Sequence, residues 1–119
     1  MLIIKDIYNL NTYLKAFRDK GYSIGYVPTM GALHEGHGSL IEKSHNDNQK
    51  TIISIFINKK QFNDTQDFEA YPRNKGDDYN FCQKHNVDII FEPSTEEIYP
   101  KEYKSIQNSY FQNILCDQY

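Results

Sequence analysis

A chain of 119 residues has room for one small domain and too little for two. Its 13 basic and 16 acidic residues leave a net charge of −3, which argues against a dedicated nucleic-acid binder, because such a protein carries a basic field to offset phosphate charge. Apolar residues make up 39% of the chain, enough for a packed core, yet no stretch approaches the roughly 18 to 20 apolar residues that cross a bilayer. The first residues lack a signal-peptide core and the only cysteines are Cys82 and Cys116, so composition points to a cytoplasmic protein with reduced thiols and no membrane partner.

Residues 2–4 form a short apolar run suited to an edge strand. Asn9 or Asn11 offers a cap for a helix that carries Tyr13, Leu14 and Phe17 on one face. Lys20-Gly21 should stop it, a cation in the last turn followed by a C′ glycine. Ser23 to Val27 reads as a buried strand ended by Pro28. A glycine-punctuated turn, Thr29 to Gly38, then runs into a helix from Ser39 to about Asn46, with Leu40 and Ile41 available to pack on a sheet. Thr51 to Ile57 is the clearest strand, and its apolar residues do not alternate with polar ones, as in a strand covered on both faces. Asn58 to Asn74 reads as a functional loop that includes one helical turn. Asp77 to His85 suits a helix with acidic residues in its first turn and Phe81 facing inward, and Val87 to Phe91 is a third buried strand closed by Pro93. Lys101 to Tyr119 shows only a weak apolar pattern. Strands alternating with helices predict an α/β fold: a Rossmann-like parallel sheet with flanking helices, the first half of a nucleotide-binding domain.

The chemistry lies in Val27-Pro-Thr-Met-Gly-Ala-Leu-His-Glu-Gly-His37. His34 and His37 are three apart where a strand gives way to a helix, so both imidazoles project from one face of a helix N-terminus, where free N–H groups and the dipole favour an anion. Gly31, Gly36 and Gly38 remove side chains where the backbone must turn or a ligand must approach. Backbone donors and two imidazoles together suit a triphosphate. A zinc-protease helix needs His-Glu-x-x-His, and here only Gly36 separates Glu35 from His37, so that reading fails and no metal ligand is assigned. Cys82 and His85 also lie three apart, but nothing orients or activates them, and packing is the better reading. His45 reads as a solvated helix residue.

His34-Glu-Gly-His37 resembles the His-x-Gly-His signature of the nucleotidyltransferase superfamily, and the longer run from Pro28 resembles the pantothenate synthetase family in particular. Ser54-Ile-Phe-Ile-Asn58, Gln61-Phe62, Tyr71-Pro72-Arg73, Val87-Asp-Ile-Ile-Phe91, Pro93-Ser94 and Glu97-Ile-Tyr-Pro100 fall in that family's order. The resemblance covers residues 1–100. It implies an ATP-dependent ligase that joins pantoate to β-alanine through pantoyl adenylate, with Mg2+ bound beside the nucleotide. By similarity Met30, Gly31, Ala32, Leu33, His34, Glu35, Gly36 and His37 line the ATP site. His37 and His34 are the catalytic candidates, and Gln61, Pro28 and Met30 meet pantoate or β-alanine. Tyr71 and Arg73 are expected to brace the loop, and family members form homodimers.

Two residues depart from the family pattern. Lys59 replaces a proline after the strand asparagine, loosening the loop that presents Gln61. Gly38 replaces a larger residue and should weaken the first helical turn by about 0.5 to 1 kcal/mol. The greater departure is length, since the family continues into the rest of this domain and a C-terminal lid domain, both absent from residues 1–119. Three readings stand: a truncated pantothenate synthetase, an adenylyltransferase for another small acid, and an inactive remnant.

Overall fold

A computed structural model describes residues 1–58, 65–71 and 73–99. Four parallel strands form one sheet in the order β1-β4-β3-β2: β1 (Leu2–Ile4), β2 (Ile24–Thr29), β3 (Lys50–Ile55) and β4 (Ile89–Phe91). Helices α1 (Ile7–Asp19), α2 (Glu35–Asp47), α3 (Thr65–Ala70), α4 (Lys75–Lys84) and α5 (Thr95–Ile98) complete the described chain.

Successive side chains of a strand point to opposite faces, and β3 and β4 use both faces for the core. Ile52 and Ile89 pack with Ile4, Leu10, Leu14 and Ile98 beneath α1 and α5. Ile53 and Ile90 pack with Val27, Ile41, Cys82 and Val87 beneath α2 and α4. All four of these isoleucines are wholly buried. The result is the two-sided α/β arrangement expected from the alternation of elements, with β1 at an edge.

Several boundaries differ from expectation. Asp6, rather than Asn9 or Asn11, caps α1: its carboxylate accepts the Asn9 amide at 2.9 Å and the Asn9 side chain at 2.8 Å. These hydrogen bonds, the backbone one foremost, hold the Asp6 carboxyl below its ordinary value. The other end follows the sequence reading: Gly21 takes φ 79°, and the Gly21 and Tyr22 amides donate back to Arg18 and Phe17 in a Schellman turn.

β2 runs through Pro28 to Thr29 instead of stopping before it. Lys50 donates to the Ser23 carbonyl and Phe56 to that of Thr29, so the odd-numbered residues of β2 face β3. The missing Pro28 N–H lies on the side turned away from β3, where no ladder bond is lost. Leu40, expected to pack, is 47% exposed, while its neighbour Ile41 is buried. Gly25 lets α2 approach, since a Cβ there would collide with Ser44.

α5 was not expected. Ser94 caps it, Ile98 is buried in the core, and Glu97 accepts the Ile7 amide at 2.7 Å, fastening α5 to the start of α1. The readings placed on Lys59, Gln61, Phe62, Pro72, Pro100 and the segment 101–119 lie outside the described residues.

Leu14 is buried in the core and Leu40 is exposed, so the two leucines should respond differently to truncation. Leu14→Ala is expected to cost about 2 to 5 kcal/mol and Leu40→Ala less than about 0.5 kcal/mol. Urea unfolding of the two variants checks this, and similar losses would contradict the packing.

Candidate functional site

The carboxyl ends of β2, β3 and β4 open on one cleft of about 260 Å³, lined among others by Met30, Gly31, Phe56, Lys75, Asp78 and Glu92. Ligands of open α/β sheets bind at such strand ends.

The turn that follows β2 is built from its own side chains. The Thr29 hydroxyl donates to the Ser54 carbonyl at 2.9 Å and accepts the Gly31 amide at 3.2 Å. Gly31 and Ala32 both adopt left-handed backbone, with φ of 85° and 53°. The buried carboxylate of Asp78, in the first turn of α4, accepts the Ala32 amide at 3.1 Å and the Leu33 amide at 2.9 Å.

Helix α2 begins at Glu35, inside the motif, four residues earlier than the sequence suggested. Its cap is His34, whose Nδ1 accepts the Gly36 amide at 3.1 Å. His37 Nδ1 accepts the His34 amide at the same distance, and the two rings lie 4.2 Å apart, tilted by 51°. An imidazole nitrogen that accepts an N–H carries no proton, so each neutral ring holds its hydrogen on Nε2. Burial pulls His37 below its ordinary value, the neighbouring His34 adds to this, and Asp78 opposes it. The histidine pair is therefore a capping box that leaves two Nε2–H donors.

This changes the expected source of donors. The amides of Ala32, Leu33, His34 and Gly36 are engaged by protein side chains, which leaves the imidazole Nε2–H groups as side-chain donors of this turn. Two of the glycines of the turn meet neighbouring rings. A Cβ on Gly36 would lie 2.8 Å from the His34 ring, and one on Gly38 would lie 3.1 Å from His85 Nε2. Both make room for imidazoles, and Gly38 allows close packing of α2 on α4.

Met30 and Gly31 line the cleft, Pro28 is buried within β2, and Glu35 is exposed at the start of α2. Gln61 lies outside the described residues. Arg73 donates to the carbonyls of Glu69 and Tyr71 at 3.0 and 2.9 Å, bracing the end of α3 while also lining the cleft.

Three cleft residues escaped the sequence reading: Asp78, Lys75 and Glu92. Glu92 is buried at the end of β4; its Oε1 accepts the Tyr79 hydroxyl at 2.7 Å and lies 3.6 Å from the Lys75 ammonium. Burial, with that hydrogen bond, pushes the Tyr79 phenol up to about 12. Only Asp78 left a trace in the sequence, as an acid in a first helical turn, and its partners lie 45 and 46 residues away.

Cys82 is wholly buried, and burial pushes its thiol up to about 12. It stays protonated, consistent with packing. His45 is half-buried rather than solvated: Nε2 meets the His85 carbonyl at 2.8 Å and Nδ1 the Thr51 hydroxyl at 3.3 Å. Among the described residues no three His, Cys, Asp or Glu side chains converge as a metal site, and no helix is long and apolar enough to cross a membrane.

The profile of the pantoate-β-alanine ligase family matches residues 2–119. A pantothenate synthetase of Leptospira biflexa is 45% identical over 118 residues, covering 98% of this chain and 42% of that protein. One of Clostridium botulinum is 44% identical over 119 residues, covering 99% and 42%. The crystal structure of pantothenate synthetase from Thermus thermophilus superposes with a TM-score of 0.78 at 33% identity, over 88% of this chain and 36% of that one. The Francisella tularensis pantoate-β-alanine ligase, crystallised with β-γ ATP and β-alanine, gives 0.74 at 40% identity, over 85% and 38%. The chain thus spans about two fifths of the length of the curated relatives it matches.

Because the folded value of His37 lies below its unfolded one, unfolding takes up a proton as the pH falls below about 6.5. Stability is complete above that pH and is lost as the pH falls through the lower folded value. Urea unfolding at about pH 7.5 and about pH 5.5 should show this loss, and His37→Gln should lack that component. An unchanged acid dependence in the variant would contradict the half-buried, capping role.

Proposed function

The chain belongs to the pantoate-β-alanine ligase family, and from that membership we propose that residues 1–119 form the nucleotide-binding part of a pantothenate synthetase. The observation that carries this reading is the pair of adjacent imidazole rings that cap α2 through Nδ1 and keep Nε2–H as donors, on the turn that leaves β2; of that turn, Met30 and Gly31 line the cleft at the strand ends, whereas His34 and His37 do not.

In the proposed reaction a pantoate carboxylate oxygen attacks the α-phosphorus of magnesium-bound ATP. The bond to the bridging oxygen breaks, and pyrophosphate leaves. The amine of β-alanine then attacks the acyl carbon of pantoyl adenylate, loses a proton and releases AMP. Charge builds on phosphate oxygens during the first step, so positioned donors stabilise it. His34 and His37 fill that role as neutral donors; His37 need not give up its proton. Met30 and Pro28, with Gln61, are assigned to pantoate and β-alanine. Mg2+ is assigned to enter with the nucleotide, since among the described residues no cluster of three His, Cys, Asp or Glu side chains is present to hold it. The reading includes a cytoplasmic homodimer that acts on small molecules and does not engage nucleic acid.

A chimera tests the proposal. Residues 1–119 joined ahead of the remaining segment of the Leptospira biflexa relative should catalyse pantoate-dependent exchange of pyrophosphate into ATP. Exchange with a different small acid but not with pantoate would reject the substrate. His37→Ala in the chimera should lower the rate by roughly 10² to 10³, and a near-normal rate would remove His37 from the chemistry. Residues 1–119 alone should show no exchange, because few contacts remain to offset the entropy of holding ATP.

A further inference from the structure

We propose that Asp78 is a positioning residue for the Met30–His37 turn: by accepting the Ala32 and Leu33 amides together, its carboxylate sets the backbone shape that brings His34 and His37 into their cap. The functional consequence rests on the nucleotide-binding reading, whereas the geometry does not.

Gly31 and Ala32 are consecutive left-handed residues, a conformation that alanine adopts only under constraint. Two successive amides that converge on one anion supply such a constraint. Asp78 reaches them from α4, 45 and 46 residues away, with Oδ1 on Leu33 and Oδ2 on Ala32. Its side chain is buried at the wall of the cleft, which limits the competition of water for either bond. A Cβ on Gly31 would lie 3.1 Å from Oδ2; the glycine and the aspartate fit each other. Only one residue past Leu33, the backbone enters the cap in which the His34 amide meets His37 Nδ1. Displacing the turn moves that amide and opens the ring pair.

Asp78→Asn tests this. Asparagine keeps the size but presents an NH2 group to one of the two amides. Amide exchange at Ala32 and Leu33 should accelerate by about tenfold or more, while Ile52 and Ile89 in the sheet keep their protection. The direction in which His37 titrates separates positioning from a charge effect. His34 on its own turn and Asp78 on α4 are the titratable groups that act on it. If the turn opens, His37 gains water and its NMR titration midpoint rises toward 6.5, its unperturbed value. If Asp78 acts only as a charge, the midpoint falls and the two amides stay protected, which overturns the proposal. No change at either point also overturns it.

Should Asp78→Asn fail to fold, the unaltered chain still gives an answer. The Ala32 and Leu33 amides, held by one carboxylate, should exchange through one shared opening with matching protection, and independent exchange rejects the pin. None of these readouts involves ATP or pantoate, so failure here is distinguishable from failure of the proposed activity.

Discussion

The structure depends on β3 being sealed on both faces. Lys50 is half-buried at its start, and every residue from Thr51 to Ile55 is buried. Burial of Ile52 and Ile53 in opposite directions requires a helical layer on each side of the sheet, which assigns α1 to one face and α2 with α4 to the other. The polar members of the strand then need partners, because a buried polar group without one is costly. Thr51 satisfies this through Ser44 and His45 of α2, at 2.6 and 3.3 Å, and its amide donates to Asp88 at 2.8 Å. The Ser54 carbonyl accepts the Thr29 hydroxyl. The hydrogen bonds that make β3 tolerable are thus the ones that fix α2 and the end of β2.

Covering both faces leaves the strand ends as the place where backbone and side chains can meet a ligand. Thr29 ends β2, Phe56 and Glu92 directly follow β3 and β4, and the cleft opens there. Its charges are held by neighbours: Tyr79 by hydrogen bond and Lys75 by ion pairing steady Glu92, while Asp78 is committed to the turn. The cleft is shaped largely by groups that serve one another.

The strands were legible because apolar runs bounded by turn residues report burial directly, and residues 51–57 and 87–91 carried that signal. Gly21 was legible because a left-handed helix end has few candidates. What failed was any feature that depends on which of several chemically similar groups is nearer. Asp6, Asn9 and Asn11 are all competent caps, and only the path of the chain from β1 selects Asp6. Pro28 looked like a strand terminator because the side its nitrogen faces is invisible before pairing is known. The helix in the motif seemed to start late because Gly36 and Gly38 are poor helix formers. Packing against the His34 and His85 rings overrides that propensity. Asp78 was legible as an acid at a helix start, whereas its partners are set by the tertiary fold.

The histidine pair unites two requirements that the sequence presented separately. An imidazole that caps a helix must be neutral at the capping nitrogen, and one that donates to a phosphate must hold a proton on the other. Both are met by one tautomer, with Nδ1 bonded to backbone and Nε2–H directed away from the cap. In the proposed phosphate-donor role, the first turn of α2 therefore holds both imidazoles in orientation. A charged imidazolium would attract an anion more strongly, but it would place a proton on Nδ1 against the backbone N–H and open the cap. Neutral donors fixed in place suit charge that develops during a reaction better than mobile cations, which would stabilise the bound ground state nearly as well as the transition state.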